Sequence, residues 1–326
     1  MLRLFGPGCS ITPVDAAAAR GGARQAVWID LFEPTREEEA LAEELIGANI
    51  PTRAEMQEIE PSSRLYEKNG VAFMTMSVLY GVDEKHPSTD PISFILTDKH
   101  LVTVRYIDPR PFVLFTEQAA VEAELTGDPM TVLVRLVDAI VDRLADELEN
   151  AGRELEAISN HIFERRARSE RRNPELRYEA LMIRIGEAQR LIARARESSV
   201  GTGRMLGFLA ACDLMARHGG GHLRHIQSLI ADVRALDDQS DFLGENLTFL
   251  LDASLGMISL EQNFVMKIFS VVAVVLMPPT LLAGVYGMNF EHMPELKWLF
   301  GYPYAIGLML ASAILPYMLA RRRGWL

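Results

Sequence analysis

The sequence predicts an α+β protein: a mixed strand-and-helix front, followed by a very long helix that runs into the first of two membrane spans. Three observations carry this. Across residues 268–290 no Asp, Glu, Lys, Arg or His interrupts 23 positions, enough to cross a hydrocarbon core of about 30 Å at helical rise. A second uncharged run, 300–320, is closed by Arg321-Arg322-Arg323. Ahead of both, short β-branched and aromatic segments give way near Met130 to helical periodicity.

In chain order, strands are expected at 2–5, 26–32, 71–80, 92–97 and 101–106, each bounded by turn residues. Thr97-Asp98-Lys99-His100 separates the last two as a hairpin turn does. Helices fall between them. One covers 35–47, with Thr35 as N-cap and Glu38 three residues on forming a capping box, and another covers 52–60. From Met130, apolar residues such as Leu133, Leu136, Val137, Ile140 and Leu144 recur at threes and fours as far as Ile162. The pattern breaks in the polar stretch 164–173. Pro174 then opens a second helix behind an Asn173 cap, and it continues to about His218. Gly219-Gly220-Gly221 marks a sharp turn.

Residues 222–287 contain no proline before Pro278. Unbroken, those 66 residues would make a helix roughly 100 Å long. That exceeds any bilayer, so the first two-thirds must stand outside as a stalk, and periodic patterns of such length favour self-association. The implied organisation is a body at 1–242, a lower stalk at 243–264 and a first span at 265–286. A connecting loop at 287–299, a second span at 300–320 and a basic tail at 321–326 complete it.

The arginine triplet and Lys267, at the foot of the first span, place both ends of the hairpin on the cytoplasmic side. No sustained apolar segment follows Arg3, so no signal peptide is expected. Cys9 and Cys212 lack metal or redox spacing, in keeping with a reducing compartment. Net charge is −11, from 44 acids against 33 bases. This argues against nucleic acid and is compatible with cations as partners. No Walker-type loop is present, which argues against ATP, and no catalytic constellation points to an enzyme.

In the first span, Asn263, Met266, Ser270, Ala273, Met277, Thr280 and Gly284 follow one another at alternating intervals of three and four. They therefore share one helical face. Two readings fit: a seam of small and polar residues that packs helix on helix in lipid, or the lining of a pore built from several copies. A two-span chain cannot enclose a pathway alone, so conduction demands an oligomer. The stripe holds no fixed charge, so a bare dication would be prohibitively costly in it, whereas a hydrated one is tolerable. Mg²⁺, which sheds water reluctantly, suits handling through its outer shell. Asn289 can offer carboxamide oxygens at the mouth, and Glu291 and Glu295 either concentrate cations there or are simply solvated.

Tyr286-Gly287-Met288-Asn289 resembles the signature of the CorA family of magnesium transporters. Around it stand Glu261-Gln262-Asn263, Lys267-Ile268-Phe269-Ser270, Pro278-Pro279-Thr280 and Met293-Pro294-Glu295-Leu296-Lys297-Trp298, with Trp325-Leu326 closing the chain. Residues 243–326 are similar to the proteobacterial branch almost throughout, and the front matches more loosely. The resemblance implies a homopentamer in the bacterial inner membrane, with an α/β/α funnel domain in the cytoplasm. It implies Mg²⁺ as cargo, with Co²⁺ and Ni²⁺ as surrogates, held in hydrated form by Gly287, Met288 and Asn289. Met277 and Met266 would be constrictions, and Asp252 would face the funnel axis. It also implies closure by cytoplasmic Mg²⁺ at acidic residues between subunits. Asp83, Glu84, Asp90, Asp232, Asp237, Asp238 and Asp241 are the candidates, most of them expected to be solvated. Two alternatives stay open: a zinc transporter of the related proton-coupled branch, and a membrane-anchored oligomeric scaffold. His218, His222 and His225, at i, i+4 and i+7, either hold a metal or lie at the surface beside the glycine turn.

Overall fold

The structure, a computed structural model, describes residues 1–6, 21–58, 60–163, 174–218, 220–288, 293–294 and 298–323. Two compact units are present, Met1–Leu251 and Asp252–Leu326.

The first unit is built on a sheet of β1 (Leu2–Phe5), β2 (Trp28–Phe32), β3 (Leu65–Lys68), β4 (Val71–Tyr80), β5 (Ser88–Leu96) and β6 (Leu101–Arg105). The strand order is β1-β2-β6-β5-β4-β3, and β2 with β6 is the parallel pair. The other neighbours run antiparallel. Helices α1 (Arg36–Ile46), α2 (Arg53–Met56) and α3 (Pro61–Arg64) lie between β2 and β3. After β6 come α4 (Arg110–Val121), α5 (Pro129–Phe163), α6 (Pro174–Ala211), α7 (Asp213–His218) and α8 (Leu223–Tyr286). The Thr35 capping box at the head of α1 forms as the sequence predicts, with Glu38 accepting from the Thr35 amide at 2.8 Å.

Strand alternation sorts the sheet into two buried faces. Ile29, Leu31, Val102, Val104, Ile95 and Phe73 face Leu41, Ile46 and Met56 of the short helices. On the other face Trp28 meets Phe115 of α4, and Phe94 meets Phe112. There α6 crosses β4 so closely that Gly201 lies against the Ser77 amide, 3.6 Å from where a Cβ would sit. The result is the three-layered α/β/α arrangement, with β4 buried along nearly its whole length.

Two expected elements change. The helix expected at 52–60 is shortened to α2, which ends at Met56 where the Gln57 amide turns back to the Ala54 carbonyl, and α3 begins only at Pro61, beyond the expected segment. The helix from Pro174 stops at Ala211, and α7 restarts at Asp213. In the gap, the Cys212 thiol donates to the Leu209 carbonyl at 3.1 Å. Strand β3 and helix α4 had no counterpart in the sequence reading. The Asn173 cap lies outside the described residues.

The second unit holds the last part of α8 and helix α9 (Gly301–Arg322). Both are long and apolar enough to cross a membrane, and almost nothing in either is buried within the chain. A core helix of a soluble protein would hide its apolar side chains, whereas these leave theirs for lipid or for other copies. Helix α8 continues through Pro278 and Pro279 without a break.

Candidate ion pathway

Every residue of the predicted stripe, and Asp252 below it, is exposed in the single chain. Met266 and Met277 are 64% and 69% exposed, whereas Val271 is 6% exposed. Val271 and Val275 line a groove with Leu315 and Leu319 of α9. At 3.6 residues per turn, the stripe lies roughly 150° round the helix from those two valines. Its mean direction is therefore turned away from α9, although Ser270 also lines that groove. Gly256 and Ser259, not singled out in the sequence, continue the same three-four spacing between Asp252 and Asn263 and are also exposed. The signal was the periodicity, followed one heptad too few.

The hydroxyls on the stripe are already engaged. Ser270 Oγ donates to the Met266 carbonyl at 2.8 Å, and Thr280 Oγ1 donates to the Leu276 carbonyl at 2.7 Å. With its hydrogen committed inward, each oxygen presents lone pairs outward. That polarity suits a hydrated cation, whose water shell presents hydrogens.

Helix α8 ends where the signature begins. The Gly287 amide still donates to Ala283 at 2.9 Å, and the Met288 amide turns back to Val285 at 3.2 Å. A Cβ on Gly287 would stand 3.0 Å from the Ala283 carbonyl oxygen, so glycine lets the chain leave the helix tightly. Met288 is half exposed. Asn289, Glu291 and Glu295 lie outside the described residues. Trp298, Tyr302 and Tyr304, near the start of α9, are all exposed, as interfacial aromatics are.

The acidic candidates in the first unit separate into two groups. Asp83 and Glu84 sit in the turn between β4 and β5, which Gly81 opens with φ +71°; a Cβ there would come within 2.6 Å of the His86 carbonyl oxygen. Asp83 is clamped between Arg110 at 3.1 Å and Arg143 at 2.9 Å. The hydrogen bond from Arg110 leads the effects holding its carboxyl below the usual range, with Arg143 adding to it. Asp90 lies 3.9 Å from Arg53, and burial pushes its carboxyl up. Asp237 and Asp241 both face Arg196, at 3.5 and 2.7 Å. Glu84, Asp232 and Asp238 remain exposed. Asp232 acts on Asp142 of α5, whose carboxyl is pushed up by burial first and then by Asp138, Asp146 and Asp232. No three His, Cys, Asp or Glu side chains come together as a metal site among the described residues.

The histidine spacing has no single helix to act on, because α7 ends at His218 and α8 begins at Leu223. His225 faces Asp138 at 3.4 Å and His222 faces Asp128 at 4.0 Å.

With this geometry in place, comparison with known proteins is direct. The family described as CorA-like Mg²⁺ transporter protein matches residues 23–322. The chain belongs to this family. The magnesium transport protein CorA of Salmonella typhimurium is 35% identical over 301 residues, covering 92% of each chain. The protein of the same name from Escherichia coli matches to the same extent. The complete structure of the CorA magnesium transporter from Methanocaldococcus jannaschii superposes with a TM-score of 0.73 at 18% identity, covering 100% of this chain and 98% of that one. The family's fold accounts for the soluble α/β unit, the long helix and the two apolar C-terminal helices.

Proposed function

We propose that the chain assembles as a homopentamer in the bacterial inner membrane and admits hydrated Mg²⁺, with Co²⁺ and Ni²⁺ as surrogate cargo. Both termini lie in the cytoplasm. The observation that carries this reading is the neutral, exposed stripe from Asn263 to Gly284, turned mostly away from α9 and leading to Gly287-Met288-Asn289 in the sequence. Membership of the family and the names of its relatives support the cargo.

In this mechanism the ion keeps its inner water shell. Gly287, Met288 and Asn289 receive it at the outer lip, where carboxamide oxygens accept from the shell without the grip of a carboxylate ring. Glu291 and Glu295 raise the local cation concentration. Below, Thr280 and Ser270 offer outward lone pairs, Ala273 and Gly284 leave room, and Asn263 supplies a second amide level. Met277 and Met266 form apolar constrictions that close by dewetting. Two charges moving down the membrane potential gain about 4.6 kcal/mol per 100 mV. Cytoplasmic Mg²⁺ closes the channel at acidic residues between subunits. Asp83, Asp90 and Asp237 are engaged by arginines, which leaves Glu84, Asp232 and Asp238 the freer candidates.

Flux into proteoliposomes tests this. Asn289→Ala should abolish Mg²⁺ uptake while the particle keeps its size; unchanged uptake sinks the reading. Zn²⁺ flux that requires a pH difference would move the assignment to the zinc branch. An intact oligomer that passes no divalent cation would make the stripe a packing seam.

A further inference from the structure

The groove between α8 and α9 has a largely apolar chemistry that ion conduction does not need. It encloses about 350 Å³ and is walled by Val271, Val274 and Val275, with Ser270 of the stripe at its margin, on one side and by Leu315 and Leu319 on the other, with Arg323 at one end. That volume is at the lower end of ligand-sized pockets. Lys267 stands one turn before Val271 and two before Val274 on the same face of α8, so a second cation comes to the Arg323 end. Arg321 and Arg322 precede Arg323, and none of the three makes an ion pair among the described residues. An apolar slot with a basic rim at one end matches an amphiphile with an acyl tail and an anionic head.

We propose that this groove binds an anionic phospholipid of the cytoplasmic leaflet, with its acyl chain between the valines and leucines and its phosphate between Lys267 and Arg323. The inference rests on the two-span membrane reading. Basic pockets between spans on the cytoplasmic side select anionic headgroups, and guanidinium binds phosphate in bidentate fashion. A zwitterionic lipid fills the same slot but lacks the net charge that the rim selects.

The test uses the full chain, delipidated in detergent and offered equal amounts of phosphatidylglycerol and phosphatidylcholine, with bound lipid read by native mass spectrometry. Phosphatidylglycerol adducts should dominate, and Arg323→Gln should lower that preference about fivefold. Arg323→Lys should retain most of it. Ala320→Phe, which fills the groove from α9, should remove both lipids. Equal binding of the two lipids, or an Arg323→Gln protein that discriminates as strongly as the parent, overturns the proposal. So does a benzoylphenylalanine placed at Leu319 that photo-crosslinks to a second copy instead of to lipid. Retention in the membrane after a carbonate wash is measured in parallel; loss there would indict the two-span reading, whereas retention with unselective binding indicts the lipid site alone.

Discussion

Thr280 Oγ1 donates its hydrogen to the Leu276 carbonyl at 2.7 Å. A threonine that back-bonds in this way keeps a fixed rotamer and turns acceptor capacity toward the stripe. Thr280→Val removes that acceptor at similar size and leaves the Leu276 carbonyl with its helical amide partner. Mg²⁺ uptake into proteoliposomes should fall about fivefold, the loss expected for one net hydrogen bond to the passing shell. Thr280→Ser should stay near the parent. A valine variant that conducts like the parent would show that the hydroxyl serves only helix packing.

Met277 and Met266 project from the same face and are among the most exposed apolar side chains of α8. If they seal a shared axis, replacing both with alanine widens two constrictions at once. The double variant should leak Mg²⁺ under high Mg²⁺ on the cytoplasmic side, conditions in which the proposed gating closes the parent. The measurement is uptake with and without Mg²⁺ on that side. Equal suppression in both proteins would place the gate elsewhere.

The two long apolar helices, the exposed face shared by Asn263 to Gly284 and the capping box were legible because each is written in local spacing: hydropathy over twenty residues, a three-four repeat, a Thr and a Glu three apart. Strand β3 was not. Leu65-Tyr66-Glu67-Lys68 is short and half charged, and it becomes a strand only because β4 offers it an edge. The fate of Asp83 was equally hidden. Its two arginines are 27 and 60 residues away in sequence, and only the meeting of the β4–β5 turn with α4 and α5 brings them together. Nor does spacing within α5 reveal that Asp142 senses Asp232 of α8.

The buried charges of the sheet give a stability prediction. Arg105 and Asp30 are both 0% exposed, joined by bonds of 3.0 and 2.9 Å. Thr103 donates to Asp30 at 2.8 Å, and Trp28 donates to Thr103 at 3.0 Å. The guanidinium also lies over the rings of Phe32 and Phe112. Arg105→Ala would strand a buried carboxylate and should destabilise the fold by about 3–5 kcal/mol. Combining Arg105→Met with Asp30→Leu should be less damaging than either single change, because no uncompensated charge remains. Denaturant titration of the four proteins closes the cycle, and additive effects would show that the pair is not coupled.

Asp142 yields a pH-dependent prediction with a definite sign. Burial, followed by the carboxylates of Asp138, Asp146 and Asp232, raises its folded-state pKa above the ordinary value of 3.8. The folded protein thus binds the proton more tightly than the unfolded chain, so this group favours folding at low pH. That contribution is complete below the unfolded pKa and is lost as pH rises through the folded one. At neutral pH the ionised carboxylate opposes folding, and Asp142→Asn removes the opposition. Because the side chain is largely exposed, solvent screening keeps the gain to a few tenths of a kcal/mol. Thermal unfolding should show the variant ahead of the parent at pH 7, with the gap closing below about pH 4 and shrinking at high salt. A variant no more stable than the parent at pH 7, or one whose advantage persists at pH 3, would mean that the neighbouring carboxylates are too well screened to act on Asp142.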